Sequence, residues 1–331
     1  MKKPNIARQP LGLVVATFLV VMILFSARSF LAPYEIELLA GPDMPLGHIL
    51  DEIIPQGIIH YFIGFIMAFI NAMLLSRIII RYSISPIRTY IPIVMYSIFA
   101  YGIYIPANSL CVPAATTLLL LSSSEIIAAF RRSYQFGAVF KSGFFLGIIP
   151  LIFSPATILI IMLPVTLILY RRTLREIITG ITGLILPFAL CSSIWWLTGT
   201  HWSYISDALF EGLSNGYSLS HNFPVEGTAE GMYIILLVGI IILSIICTAI
   251  RFREMRSRVR KIHIHFLWLL AACTAVCLLF YDNISFLSFL AVPAAFISSA
   301  FLTRYKGWLT LSLYITMILI AVAINIFRLI G

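Results

Sequence analysis

Long apolar runs in this chain alternate with short gaps whose charge changes sign from one gap to the next. Apart from Arg28 and Arg328, all of the 22 Lys and Arg residues fall in alternate gaps or, as Arg77 and Lys141 do, at the run ends beside them. The intervening gaps hold the Asp and Glu; of the 13 in the chain, only Glu125, Glu176 and Glu254 lie elsewhere. Cations are retained on the cytoplasmic side of a membrane during insertion, so this alternation fixes both the number of crossings and their direction. The expected fold is all-α: a polytopic transmembrane bundle of about eleven helices.

Composition agrees. The chain is 61% hydrophobic and 11% charged, where a soluble domain carries roughly 25% charged residues. No polar stretch is long enough to fold as a separate soluble domain, so residues 1–331 read as a single integral membrane domain. The net charge of +9 is explained by the cytoplasmic gaps and calls for no nucleic-acid partner. Anionic headgroups are the natural contact for the densest basic run, residues 251–261. The five cysteines lie almost entirely in apolar runs and none forms a Cys-x-x-Cys pair, which argues against a disulfide framework or a zinc site.

The predicted crossings are residues 11–32, 57–80, 90–104, 111–130, 138–153, 156–170, 177–197, 232–250, 264–281, 284–302 and 308–327. This order places the N-terminus in the cytoplasm and the C-terminus outside. The first run follows Lys2, Lys3 and Arg8 and reads as an uncleaved helix rather than a signal peptide. Residues 138–153 and 156–170 are short and are joined by Ser154-Pro155. They read as two crossings with basic flanks, a re-entrant hairpin being the alternative.

Two outer gaps are long, residues 33–56 and 198–230. Each contains an amphipathic stretch, 45–56 and 201–217, expected to lie on the membrane surface. In the first, Ile49, Leu50, Ile53 and Ile54 are expected to face lipid; in the second, Trp202, Ile205, Leu209, Phe210 and Leu213 recur at helical spacing. The candidate catalytic acids are Asp43, Asp51 and Glu52, because a carboxylate against a substrate hydroxyl works as a general base. Asp207 and Glu211, four residues apart, are candidates for contacting substrate on the second segment. Arg28 and Arg328 lie at outer helix ends, where forked guanidinium donors suit a lipid phosphate and long side chains also snorkel.

Within the apolar runs, Glu125, shortly before Arg131, is expected to pair with a cytoplasmic arginine, a proton or ion relay being the alternative, and His60, Asn71 and Asn325 to hydrogen-bond between helices. His263 and His265 are not read as metal ligands, and no metal or cofactor is expected. The chain has no P-loop, dinucleotide-binding glycine pattern, His-Glu-x-x-His or Gly-x-Ser-x-Gly.

The stretch from Leu118 to Phe188, with Ala291 to Phe301, resembles an uncharacterised family of bacterial polytopic inner-membrane proteins of about 300 residues. More remotely, Lys141 to Arg172 resembles the membrane core of GT-C type glycosyltransferases that use polyprenyl-phosphate sugars. That second likeness implies an essential acid in the first outer gap. The nearest to a paired-acid motif there is Glu35-Ile36-Glu37, and the large outer domain of those enzymes has no counterpart. The expected function is therefore an inner-membrane role in envelope biogenesis, as a non-catalytic or glycan- and lipid-handling component at the outer leaflet. Its partners would be membrane lipids and either a polyprenyl-phosphate-linked substrate or an envelope-assembly protein. The alternatives are a GT-C-like glycosyltransferase and a transporter or lipid flippase.

Overall fold

The computed structural model describes residues 9–31, 44–54, 58–85, 88–102, 110–130, 134–215, 228–279, 287–305 and 307–330. Among these every regular element is helical. In chain order they are α1 (Leu11–Leu31), α2 (Pro45–Ile53), α3 (Ile58–Arg81), α4 (Ile91–Tyr101), α5 (Cys111–Ala128) and α6 (Phe136–Ile152). A 3-10 segment (Ser154–Ile161) runs directly into α7 (Met162–Leu169). Then come α8 (Leu174–Leu197), α9 (Tyr204–Asn215), α10 (Thr228–Ile250), α11 (Ser257–Leu279), α12 (Leu287–Arg304) and α13 (Trp308–Ile330).

Leaving aside α2 and α9, each helical stretch falls on a predicted apolar run. Five are long and apolar enough to cross a bilayer, within α3, α5, α8, α10 and α11; shorter apolar stretches of 10–17 residues lie in α1, α4, α6, α12, α13 and the 3-10 segment with α7. The charge alternation thus sorts the helix ends into a basic and an acidic end of the bundle.

α4 and α12 pack against each other at the centre. Every residue of α4 is buried, and so is every residue from Ala291 to Thr303 of α12. α1 and α3 cover α4, while α10 and α11 cover α12. At the periphery, α8 leaves Ile178, Ile185, Leu190 and Ile194 exposed, and α10 leaves Ile235, Ile242 and Ile246 exposed. Apolar faces of this extent are a liability in water and are solvated by hydrocarbon.

Polar side chains inside the bundle serve as clamps. Asn71 on α3 donates to the Pro113 carbonyl at 3.0 Å and accepts from Thr117 Oγ1 at 2.7 Å, joining α3 to α5. Asn325 on α13 donates to the Gly102 carbonyl at 3.3 Å, joining α13 to the end of α4. Ser122 on α5 and Ser142 on α6 lie 2.9 Å apart, oxygen to oxygen. The expectation of interhelical bonding by Asn71 and Asn325 is met. Arg131, the cytoplasmic arginine that follows the half-buried Glu125, lies outside the described residues.

Residues 154–169 make only a partly α-helical strand of the bundle. Pro155 follows the extended Phe153, and the eight residues from Ser154 wind as a 3-10 helix. At about 2.0 Å per residue there and about 1.5 Å in α7, this stretch reaches about 28 Å, against about 24 Å for a uniform α-helix. That is close to the roughly 30 Å hydrocarbon thickness. The helix ends at Arg171, whose φ of 51° is left-handed, with the Arg172 N–H bonding back to the Leu167 carbonyl at 3.0 Å.

α6 and α8 approach most closely through glycine. A methyl group on Gly143 would collide with the Gly180 carbonyl, one on Gly147 with the Leu184 carbonyl, and one on Gly183 with the Phe140 carbonyl. Small residues permit this approach where no hydrophobic effect drives helices together.

The boundary that differs most from the sequence reading is the start of α11. α11 begins at Ser257, so Arg258, Arg260 and Lys261 are helical rather than part of a gap. Arg and Lys are good helix formers, and here their heads find aromatic partners, described next.

Candidate functional site

At the acidic end, α2 and α9 come together. Pro45 occupies the first turn of α2, where its missing N–H costs nothing. Gly47 then lies directly against the Ile152 carbonyl at the end of α6, and a side chain there would collide with it. The Cys111 thiol approaches the Gly47 carbonyl at 3.8 Å. From the other side, α9 lays Ile205 and Leu209 on the same place. Leu151, Cys191 and Ile205 form a small buried cluster, with Leu46, Phe188, Trp195 and Leu209 packed around it. Both outer segments are thereby seated on the turn between α6 and the 3-10 segment.

The predicted apolar face of α9 divides into two. Ile205, Leu209 and Leu213 pack inward, whereas Trp202 and Phe210 are exposed, at 59% and 73%. On α2, Ile49 and Ile53 are exposed as expected. Side chains of this kind, bordering a bundle whose walls are apolar, belong at a membrane interface.

The candidate acids that the structure describes sit on the water-facing sides of these two helices. Glu52 is exposed, and its Oε2 lies 3.5 Å from His48 Nδ1 one turn earlier. An exposed pair of this kind contributes little to stability. His48 had escaped the sequence reading, although its i,i+4 spacing from Glu52 on a short amphipathic helix was a usable signal. Asp207 and Glu211 are exposed on α9, one turn apart, and Asp207 in the first turn is favoured by the helix dipole. Among the described residues, no three His, Cys, Asp or Glu side chains are grouped as metal ligands. Asp43 lies outside the described residues, as do the side chains of Asp51, Arg28 and Arg328.

The backbone does bring positions 28 and 328 to neighbouring helix ends. α1 packs along α13, and Tyr314 in α13 donates to Gln9, just before α1, at 3.1 Å. The two helices therefore start together and run in parallel, so residues 28 and 328 both fall in last turns at the acidic end.

The basic end is organised by aromatic rings. Arg251 lies over Tyr305 at 4.6 Å, and both Arg81 and Arg258 lie over Tyr82, at 5.8 and 5.2 Å. Tyr170 donates to the Lys261 carbonyl at 2.6 Å while the Lys261 ammonium sits 5.6 Å above its ring. Burial pushes the Tyr170 phenol well above its ordinary range, which keeps it a donor. Glu176, in the first turn of α8, is buried and accepts from Gln135 N–H at 3.0 Å, Arg172 Nη1 at 3.2 Å and Thr173 Oγ1 at 3.2 Å. His263 and His265 are buried on α11, and Nδ1 of His263 meets the Val259 carbonyl at 2.9 Å.

This fold and its apolar surface define an all-α membrane protein with two short amphipathic helices packed on a shared cluster at its acidic end. No family model, curated protein or solved structure matches the chain.

Proposed function

We propose that the chain is a multi-pass protein of the bacterial inner membrane, its acidic end outside, that handles a lipid-linked glycan or its polyprenyl carrier at the outer leaflet during envelope biogenesis. In this reading it does not itself transfer the sugar. The observation that carries it is the joint seating of α2 and α9 on the turn after α6. Two amphipathic helices anchored on the same small cluster form an edge against which an amphiphile can lie. Arginines at positions 28 and 328, in the last turns of parallel neighbours, supply charge at the level of a lipid phosphate. Carboxylates on the water side, Glu52, Asp207 and Glu211, suit hydrogen bonding to sugar hydroxyls.

Exposure of those three carboxylates favours a binding role over catalysis. A general base works against its substrate in a site that excludes water. One observation speaks for the enzymatic alternative, the contact of His48 with Glu52, which is a proton-transfer geometry if substrate closes over it.

A photoreactive polyprenyl pyrophosphate tests the proposal in membranes containing the full chain. Crosslinking should exceed that of the uncharged polyprenol and should fall in Arg28→Gln/Arg328→Gln. Equal labelling by both probes would overturn the reading. Glu52→Gln combined with Asp207→Asn and Glu211→Gln should weaken labelling without abolishing function in cells; complete loss of function with labelling intact would favour the enzyme.

A further inference from the structure

α3 carries a groove at the basic end that none of the roles above uses. It has a volume of about 740 Å³ and opens to the outside of the bundle. Phe69, Ile70, Met73 and Leu74 line its apolar part, and Arg77 and Arg81 stand at its basic end with Tyr90 beside them. From Phe69 to Arg81 the helix rises about 18 Å, slightly more than the roughly 15 Å half-thickness of a bilayer's hydrocarbon. An apolar slot one leaflet deep therefore ends in two guanidinium groups.

Among the described residues, Arg77 and Arg81 have no ion-pair partner. Both arginines are exposed. The Arg–carboxylate ion pair formed among the described residues, Arg172–Glu176, involves neither of them. Instead Arg81 shares the Tyr82 ring with Arg258, which adds a third cation to the same corner. Ser76 also lines the groove, with its side chain 2% exposed.

We propose that this groove holds one anionic phospholipid of the inner leaflet. One acyl chain lies along Phe69, Ile70 and Met73. The phosphodiester is held by Arg77 and Arg81, whose forked donors match two phosphate oxygens. Charge selects the lipid, since a zwitterionic headgroup brings its own cation into a corner that already has three.

Brominated lipids, which quench tryptophan on contact, test the assignment. The full chain carrying Ile70→Trp is reconstituted in phosphatidylcholine vesicles containing a minor fraction of brominated phosphatidylglycerol, and separately the same fraction of brominated phosphatidylcholine. The signal of the unsubstituted chain is subtracted. Ile181→Trp, on the lipid-facing side of α8, reports the bulk. The groove variant should prefer phosphatidylglycerol about fivefold over the bulk reporter, the equivalent of about 1 kcal/mol for an arginine at the membrane surface. Adding Arg77→Gln and Arg81→Gln should remove that preference while quenching by the two lipids becomes equal. Equal quenching in the arginine-bearing protein would overturn the proposal, as would absence of quenching by either lipid, because the groove would then be filled by protein.

Discussion

The Glu176 carboxylate accepts a hydrogen bond from the backbone N–H of Gln135 at 3.0 Å, so one buried side chain ties the start of α8 to the start of α6. The same carboxylate closes a capping box with Thr173 and pairs with Arg172. The short glycine-lined contact between α6 and α8 thus begins at a fixed register. Replacing Glu176 by Ala removes the carboxylate to which the Gln135 N–H and the Arg172 guanidinium donate. The expected loss is about 1.5–3 kcal/mol, the range for hydrogen bonds to charged groups, read as a lower thermal midpoint in detergent. Glu176→Gln should lie between Glu176→Ala and the unsubstituted chain.

Gly143→Ala tests the contact itself. The added methyl meets the Gly180 backbone, which cannot move aside as a flexible side chain would. A loss of about 1–3 kcal/mol is expected for such overpacking. Gly239→Ala on α10 meets nothing within 4 Å and should cost nothing measurable. Chemical or thermal unfolding of the two variants side by side checks the difference.

Asn71 and Thr117 should be energetically coupled. Interhelical hydrogen bonds within membranes contribute about 0.6 kcal/mol on average and up to about 1.7. Asn71→Ala and Thr117→Val, alone and together, form a double-mutant cycle. A coupling energy of about 0.6 kcal/mol or more is expected from the 2.7 Å bond between them; strictly additive effects would show that the pair does not act together.

Most helices were legible because a bilayer imposes a simple rule. Each span must be apolar along its whole length and its ends are marked by charge, so residues 57–80 in prediction became Ile58–Arg81 in structure. The two amphipathic segments were legible for the same reason, through local periodicity. What escaped was set by long-range shape. Ser154–Ile161 winds as a 3-10 helix because of the turn at Pro155 and its packing against α6 and α11, which no local pattern announces. The glycines of α6 and α8 are scattered singly in sequence and acquire meaning only when the helices are neighbours. Thr173-Leu174-Arg175-Glu176, by contrast, is a readable capping signature, obscured by a basic flank that had already been explained by topology. Seating of Leu46 and Leu209 on one cluster brings together segments 163 residues apart by number, beyond the reach of any periodicity.

Sidedness is the claim on which the functional reading rests, and thiol labelling of intact cells measures it directly. In a background with the native cysteines replaced, Ser206→Cys on α9 and Arg256→Cys between α10 and α11 are exposed positions at opposite ends of the bundle. A membrane-impermeant maleimide added outside, with access through the outer membrane, should label Ser206→Cys at once and Arg256→Cys only after lysis. Labelling of both from the same side would contradict the account, and with it the placement of α2 and α9 at the outer leaflet.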